Sequence, residues 1–424
     1  MRYDTSVSVI FLCHNNYHID ISIDSVYEQL DVEDEIIIVD DHSDAKTQGI
    51  LNNYREYPQI TLLSTTKAAN RAFNRNMGVS YSQNFILIFL DGDMVLGNNG
   101  IQEIKNAHCT RPEKAFIGQK HGIHYDDIQM RLYSSIHNYI QLLETAEGRT
   151  QLENNPLFLD NRSKYFQDST TENYRWTYYY TGLCSVEKEI FNQVGGFDEN
   201  FKQWGSEDVD FGYRISKICK IGFINNLHGF HVPHMRDILK NETTNLANIQ
   251  YMQEKYQTWE FEILQGFYGY GKLPSFESII ARMRLIMLSD AIPAMEFNDL
   301  FVDVISQQYP NGRIFAMHSD LKKVNAFLGV SIPAKNLQFH TAYISDHIFI
   351  YPTLITCRIL QEALRVSEQV YIFPTADFIR IPWELEKILL PQSTKQHLYY
   401  EANDLLSFTF HSAHNDLIEV TSVR

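Results

Sequence analysis

The sequence lacks long hydrophobic runs, an excess of basic charge and any regular spacing of cysteines. No apolar stretch approaches the roughly 20 residues that a transmembrane helix requires, so no membrane-spanning segment is expected. The net charge of -16 at pH 7 argues against general nucleic-acid binding, which needs a basic face. The five cysteines are scattered and odd in number, which predicts reduced thiols and not a disulfide framework or a metal cluster. Residues 1–6 are polar and lead directly into a strand, so we expect no signal peptide and a cytoplasmic protein.

The sequence also lacks the glycine-rich loops that mark two common kinds of nucleotide site. No Gly-x-Gly-x-x-Gly follows the first predicted strand, so a dinucleotide-binding Rossmann site is not expected. The glycine-rich loop typical of uridylyltransferases is missing at the same place. These two absences argue against a dinucleotide-binding protein and against a nucleotidyltransferase.

The first ninety residues contain a regular alternation of apolar strands and amphipathic helices. Strands are predicted over residues 6–13, 35–39, 60–63 and 85–90, and helices over 18–30, 46–56 and 68–80. Alternating strands and helices with short links predict a parallel sheet joined by right-handed crossovers. The fold class is therefore α/β, and a chain of 424 residues is long enough for one large core or two domains.

The pattern is less regular farther along the chain. Helices are predicted over 101–107, 128–143, 209–217, 279–288 and 354–366, and strands over 114–119, 178–186, 222–225, 314–317, 337–340 and 370–373. The polar stretch 146–175 is predicted to be a long loop that acts as a lid or a binding loop, and 228–234 a shorter loop. Pro274 marks the predicted boundary between a domain over 1–274 and a smaller α/β domain over 275–424, whose role in acceptor binding or oligomerisation is left open.

The most informative stretch is the apolar strand Phe85–Leu90, which is followed at once by Asp91-Gly92-Asp93. Six consecutive apolar residues predict a strand buried on both faces. Unpaired buried carboxylates are costly, whereas the carboxyl ends of strands in open α/β sheets are where ligands bind. The two acids could hold a divalent cation and, through it, a diphosphate. A turn closed by two aspartates would explain the same spacing, and both interpretations stay open at this point.

Six motifs in this order resemble the inverting nucleotide-sugar glycosyltransferases of family 2, which have the GT-A fold. The motifs are VIFLCHNN (9–16), IVDDHS (38–43), NRAFNRNMG (70–78), DGDM (91–94), WGSEDVDFGYR (204–214) and GFHVPH (229–234). The last of them are most similar to the chondroitin polymerase and polypeptide N-acetylgalactosaminyltransferase branch. The resemblance covers a little over half of the chain and implies a Rossmann-like mixed sheet flanked by helices, with a UDP-sugar donor.

The resemblance implies a nucleotide site at the ends of the first two strands. His14 and Asn15 would contact the base, and Asp41, with Asp40 beside it, would accept the uracil N–H. A carboxylate suits that donor because charge-assisted hydrogen bonds are stronger than neutral ones. Arg75 would reach the base or the diphosphate. Each residue also has an alternative interpretation. His14 and Asn15 would be polar caps at a strand end, Asp41 would close an Asx-turn before a helix, and Arg75 would be a solvated arginine on a helix.

The same resemblance implies a metal site. Asp93 and His231 would ligate the metal, and Asp91 would contact the ribose or the metal. An imidazole among carboxylate and diphosphate oxygens suits Mn²⁺ better than Mg²⁺. A zinc site formed by His231 with His228 and His234 is disfavoured, because nearby cysteines and helical His-x-x-x-His spacing are missing.

The acceptor side of the implied site is the segment that opens the helix 209–217. Asp208 would be the catalytic base and Glu207 would hold sugar hydroxyls, while Trp204 would stack on a sugar and Gly182 would leave room for one. The alternative for Glu207 and Asp208 is that they are ordinary acidic residues at a helix N-terminus, and the alternative for Trp204 is that it belongs to the core. Ser206 stands where the family has the second glycine of Trp-Gly-Gly-Glu-Asp, which affects the expected sugar preference more than the chemistry.

The sequence thus predicts a metal-dependent, inverting glycosyltransferase that moves a hexose or N-acetylhexosamine from a UDP-sugar to an acceptor hydroxyl group. The favoured acceptor is a glycan. A protein, lipid or small-molecule acceptor stays open, as do peripheral contact with a membrane and a homo-oligomer formed through the C-terminal region. The alternatives to the enzyme are a nucleotidyltransferase and a non-catalytic nucleotide-sugar or glycan-binding protein.

Overall fold

The computed structural model divides into two compact units, residues 1–248 and 249–424. It describes residues 5–66, 70–122, 133–155, 159, 169–201, 204–233, 238–256, 258–266, 300–303, 313–316, 328–332, 334–345, 348, 351, 353–373, 405–411 and 417–423. Pro274, the predicted boundary, lies outside these residues, so that boundary stays a prediction. None of the described helices combines the length and the apolar character needed to cross a bilayer.

The first unit is organised on an eight-stranded sheet with the order β3-β2-β1-β4-β7-β6-β8-β5. Its strands are β1 (Val7–Cys13), β2 (Glu35–Asp40), β3 (Ile60–Ser64), β4 (Ile86–Asp91), β5 (Met94–Leu96), β6 (Ala115–Gly122), β7 (Cys184–Glu187) and β8 (Ile221–His231). The strands β3, β2, β1 and β4 are parallel, as the alternation in the first ninety residues predicts. Beyond them β7 is antiparallel to both of its neighbours, which makes the sheet mixed, as the resemblance implies.

Helices cover the sheet and enclose its apolar residues. The α-helices are α1 (Ile19–Tyr27), α2 (Ala45–Asn52), α3 (Arg71–Tyr81), α4 (Gly100–Thr110), α5 (Tyr133–Leu143), α6 (Ala146–Glu153), α7 (Lys188–Val194), α8 (Glu207–Ser216) and α9 (Ile238–Tyr256). A 3₁₀ helix spans Ser169–Tyr178. Helix α9 begins in the first unit and ends in the second. Asp44 and Asn70 cap α2 and α3 by accepting hydrogen bonds from the backbone N–H three residues on. Two residues on opposite faces of β4 illustrate the burial, since Ile88 joins the α1 side of the core and Phe89 contacts Phe197 edge to face.

Three predictions along this part of the chain are wrong. The stretch 146–175 is not a loop at its two ends, because α6 and the 3₁₀ helix occupy them. The predicted strand 178–186 begins only at Cys184, and the predicted loop 228–234 is strand as far as His231. Helix α6 was not predicted because its composition is polar. Its buried side chains include Arg149, which donates a hydrogen bond to the Leu143 carbonyl. The pairing of β8 with β6 and β5 overrides the local loop signals.

The second unit contains the end of α9, α10 (Trp259–Gly266) and a six-stranded sheet with the order β10-β9-β11-β12-β14-β13. Its strands are β9 (Leu300–Asp303), β10 (Arg313–Ala316), β11 (Phe339–Ser345), β12 (Ser367–Phe373), β13 (Leu405–His411) and β14 (Leu417–Val423), with a helix, α11, over Thr353–Val366. The predicted helix 354–366 and strands 314–317, 337–340 and 370–373 correspond to α11, β10, β11 and β12. The predicted helix 279–288 lies outside the described residues.

Candidate active site

The carboxyl ends of β1, β2 and β4 lie side by side and bring three of the motifs together. Cys13 pairs with Asp40 across β1 and β2, and Leu12 pairs with Asp91 across β1 and β4. The backbone N–H of Gly92 donates to the Leu12 carbonyl at 2.9 Å. A Cβ on Gly92 would lie 2.5 Å from the same oxygen, so only glycine fits this turn between the two aspartates.

The predicted base-binding residues form an exposed rim at this edge. The Nδ1 of His14 is 2.8 Å from the Asp41 carbonyl oxygen, and the Asn15 side chain accepts a hydrogen bond from the Asp44 N–H at 2.8 Å. Asn15 has a left-handed backbone with φ 49°. Asp40, in contrast, is buried, and its side chain accepts a hydrogen bond from the Ser43 N–H at 3.1 Å. This bond closes the turn that follows β2. His14, Asn15 and the partly exposed Asp41 are therefore the residues that a ligand can reach.

Arg75 lies at the centre of the site and is buried, so the alternative of a solvated helix arginine is wrong. Its guanidinium donates to Asp91 at 3.0 Å and to Glu207 at 2.8 Å, and it lies over the ring of Phe197. Burial by itself would lower the pKa of this guanidinium, but the charges of Asp91 and Glu207 more than offset that and raise the pKa. Arg75 thus joins α3, β4 and α8 through one cation.

Asp93 and His231, which are far apart in the sequence, meet at the end of the sheet. The Nε2 of His231 is 3.3 Å from the Asp93 carboxylate, and both side chains are about a quarter exposed, at 22% and 26%. The pairing of Met94 with His231 across β5 and β8 and a bond from the Val232 N–H to the Asp93 carbonyl fix this approach. Within the part of the chain that the structure describes, no three His, Cys, Asp or Glu side chains form a preformed metal cluster.

His228 does not join His231. Its Nδ1 is 2.9 Å from the Nε2 of His121, and successive side chains of a strand point to opposite faces, so His228 and His231 lie on opposite faces of β8. Burial lowers the pKa of His228. His234, the third member of the disfavoured zinc site, lies outside the described residues.

Glu207 and Asp208 open α8 from a left-handed Ser206 with φ 65°. Glu207 is buried; one carboxylate oxygen binds Arg75, and the other, Oε2, is buried without a hydrogen-bond partner. Burial, and next the charge of Glu207, raise the pKa of the half-buried Asp208 to about 6, while Arg75 and Lys120 oppose that shift. A carboxyl group with such a pKa is ionised at pH 7 and is a stronger base than an ordinary aspartate.

Helix α9 holds the segment that precedes Glu207. Asn248 donates to the Gly205 carbonyl at 2.7 Å, and Ser206 Oγ is 2.6 Å from the Asn245 side-chain oxygen. Gly205, with φ +106°, has no room for a side chain, because a Cβ would lie 2.3 Å from Asn245. Trp204 is partly exposed at the start of this segment and is not among the buried core residues.

The sequence reasoning missed one buried cation beside the predicted residues, Lys120 on β6. A Cβ placed on Gly182 would lie 3.2 Å from Lys120 Nζ and 3.5 Å from the Asp91 carboxylate, so the three meet at one point. The predicted strand ended at Gln119, three residues before the end of β6 at Gly122. The signal that could have found it was a lysine that follows the apolar residues 115–117 in the same strand.

Two family models match parts of the first unit. Residues 8–195 match the model described as glycosyl transferase family 2, and residues 161–234 match the model described as the N-terminal domain of galactosyltransferase. Residues 8–195 of the first unit are therefore similar to family 2 glycosyltransferases.

Two curated relatives and two solved structures illustrate the likeness. The chain is 26% identical over 221 residues to validoxylamine A glucosyltransferase of Streptomyces hygroscopicus subsp. jinggangensis, covering 50% of this chain and 51% of the relative. It is 26% identical over 215 residues to chondroitin synthase of Pasteurella multocida, covering 46% and 21%. GalNAc-T7 with UDP, GalNAc and Mn²⁺ is similar at 14% identity with a TM-score of 0.43, covering 65% of this chain and 52% of that one. S. aureus TarS with UDP-GlcNAc is similar at 13% with a TM-score of 0.44, covering 59% and 66%. The chain thus spans about half the length of the first of these curated relatives and about a fifth of the second.

Proposed function

We propose that the protein is a metal-dependent, inverting glycosyltransferase that moves a hexose or N-acetylhexosamine from a UDP-sugar to an acceptor hydroxyl group. The favoured acceptor is a glycan. The observation that carries the proposal is the approach of His231 to Asp93 within 3.3 Å, at the sheet edge where β1, β2 and β4 end. Relatives named as a glucosyltransferase and a chondroitin synthase support sugar transfer.

The residues at this edge suit a divalent cation. Asp93 and His231 offer one carboxylate and one imidazole, both partly exposed, which leaves coordination positions for diphosphate oxygens and fits Mn²⁺ or Mg²⁺. Such a cation would neutralise charge on the departing diphosphate, so no acid has to protonate it. Asp91, which accepts a hydrogen bond from Arg75, would contact the ribose or the same cation.

The remaining steps belong to side chains of this chain. His14, Asn15 and Asp41 bind the uracil, and Glu207 Oε2 accepts a hydrogen bond from a sugar hydroxyl, which would provide the partner that this oxygen lacks. The acceptor oxygen attacks C1 from the face opposite the diphosphate. As the new C–O bond forms, the bond from C1 to the diphosphate breaks and UDP leaves with the electron pair. Asp208 takes the proton of the acceptor hydroxyl.

Two further expectations stay with this proposal. The five cysteines are all free thiols, which supports the reducing conditions of a cytoplasmic location. Residues 275–424 would contribute acceptor binding or oligomerisation.

A thermal-shift screen tests the donor class directly. UDP and UDP-sugars should raise the melting temperature, and more so with Mn²⁺, since a ligand at 100 times its Kd stabilises the native state by about 2.7 kcal/mol. Stabilisation by GDP in place of UDP would change the donor class. No stabilisation by any nucleotide would overturn the proposal, and binding without transfer to any acceptor would favour a non-catalytic binding protein.

A further inference from the structure

Ser206 directly precedes α8, where a serine ordinarily caps a helix, but its side chain does not do so. A capping serine has an extended backbone, and its hydroxyl oxygen accepts a hydrogen bond from the backbone N–H two or three residues on. Ser206 instead has a left-handed backbone, with φ 65° and ψ -4°, and its side chain makes no capping bond. Its carbonyl still accepts the first hydrogen bond of the helix, from the Asp210 N–H at 3.0 Å. The hydroxyl therefore serves another purpose.

Asn245 of α9 binds that hydroxyl. Ser206 Oγ donates to the Asn245 side-chain oxygen at 2.6 Å, and both residues are buried, at 8% exposure each. A left-handed backbone is unfavourable for a residue with a Cβ, so it persists only where neighbouring groups hold it. The bond to Asn245 is such a restraint. Both residues belong to the first unit.

The N–H that a capping serine would bind is used by the proposed base. The Val209 N–H, three residues after Ser206, donates to the Asp208 carboxylate at 2.8 Å. This bond restricts the rotation of the carboxylate, and a general base must lie within hydrogen-bond reach of the proton that it removes. The Ser206 hydroxyl and the Asp208 carboxylate are thus two candidate acceptors for one N–H group.

We propose that Asn245 is a positioning residue for the base: by holding the Ser206 hydroxyl, it keeps the serine from capping α8 and leaves the Val209 N–H to orient the Asp208 carboxylate. The inference rests on the proposed function. It gives Ser206 a role in the geometry of the base, in place of the effect on sugar preference that the sequence suggests. A glycine at position 206 would need no such partner, because glycine adopts a left-handed backbone readily and has no hydroxyl.

Three variants separate the hydrogen bond from the residues that form it. Asn245→Ala releases the hydroxyl, so Ser206 can relax to an extended backbone and bind the Val209 N–H. Ser206→Gly removes the competing hydroxyl and keeps a left-handed backbone, and the double variant removes both partners. If Asn245→Ala does not fold, Asn245→Leu, which fills the space without an acceptor, replaces it.

Two measurements are made on each variant, at a temperature well below its melting point. UDP is titrated calorimetrically with Mn²⁺, and release of UDP is followed from UDP-glucose and from UDP-N-acetylglucosamine, with water or a mixture of oligosaccharides as the acceptor. Asn84→Ala is the matched control. Asn84 donates side-chain hydrogen bonds to the Val7 and Glu33 carbonyls, at the opposite end of the sheet, so its loss should leave both measurements unchanged.

Asn245→Ala should bind UDP as the parent does and release it roughly 10- to 100-fold more slowly from both sugars alike, since a misplaced catalytic group can cost about that factor. Ser206→Gly and the double variant should stay close to the parental rate. The rate of Asn245→Ala should also rise with pH at a higher midpoint than that of the parent. The Val209 N–H lowers the pKa of Asp208, and its loss leaves burial and the charges of Glu207, Arg75 and Lys120 to set that pKa.

A parental rate in Asn245→Ala, or a double variant as slow as Asn245→Ala, would overturn the inference and leave the proposed function intact. A rate lost with one of the two sugars only would also overturn it, because that is the behaviour of a residue that selects the sugar. A parent that binds no nucleotide, or that releases no UDP from either donor, would remove the proposed function, and the inference with it.

Discussion

Arg75 and Glu207 form a buried ion pair of 2.8 Å that connects α3 to the first residue of α8, next to the proposed base. The same guanidinium binds Asp91 at the end of β4. One side chain therefore sets the positions of the acid that follows the central strand and of the helix that carries Asp208. The first prediction tests this connection.

Arg75→Met should lower the free energy of unfolding by about 3–5 kcal/mol, because it leaves the buried Glu207 carboxylate without its counter-ion. Urea unfolding followed by circular dichroism measures the change. Arg71→Met is the matched control, since Arg71 is exposed on the same helix and should change stability by less than about 0.5 kcal/mol. Equal stabilities of the two variants would contradict the structural role of Arg75.

Asp208→Asn should retain UDP binding and lose transfer by a factor of roughly 10² to 10⁴, the usual contribution of a general base. Calorimetry measures binding, and release of UDP in the presence of an acceptor measures transfer. Glu189→Gln, which removes an exposed carboxylate elsewhere in the first unit, should change neither. Transfer by Asp208→Asn at the parental rate would show that the base is another group.

The pKa of Asp208 predicts two pH dependences of opposite sign. The transfer rate should rise with pH through about 6, as the carboxyl group loses its proton and becomes a base. Stability should do the reverse. Because the folded-state pKa lies above the ordinary value of 3.8, the contribution of this group to stability is fully present below that value and is lost as the pH rises through about 6.

Asp208→Asn should therefore be more stable than the parent at pH 7, by on the order of 1–3 kcal/mol, and the difference should shrink toward pH 4. Parallel unfolding curves at pH 4, 5, 6 and 7 measure it. A variant that is less stable than the parent at pH 7 would mean that the charged carboxylate is stabilised by Arg75 and Lys120 more than burial opposes it.

Asp93→Ala should abolish the part of UDP binding that depends on Mn²⁺ and leave the binding measured with EDTA unchanged. The reason is that Asp93 supplies the carboxylate oxygen beside His231, whereas the base-binding rim of His14, Asn15 and Asp41 does not involve it. Calorimetric titration of UDP with and without the metal separates the two contributions. Mn²⁺-dependent affinity that survives in Asp93→Ala would place the metal ligands elsewhere.

Local patterns were sufficient for much of this fold. The apolar run before Asp91 predicted β4, and the alternation in residues 6–90 predicted the parallel strands β1 to β4, because burial on a sheet or helix face imposes a period that a few residues already reveal. Polar segments were harder to interpret. Helix α6 has Arg149 among its buried residues, and β8 continues through the exposed Asn225, so neither shows a clean apolar period.

By itself the sequence determined the parallel strands β1 to β4 and the placement of acids at their ends. Only the tertiary structure decided which distant residues meet: Arg75 with Glu207, His231 with Asp93, and Lys120 with Gly182. The physical reason is that periodicity records only whether a residue is buried. Its partner depends on strand order and register across the whole sheet, which residues distant in the chain fix together.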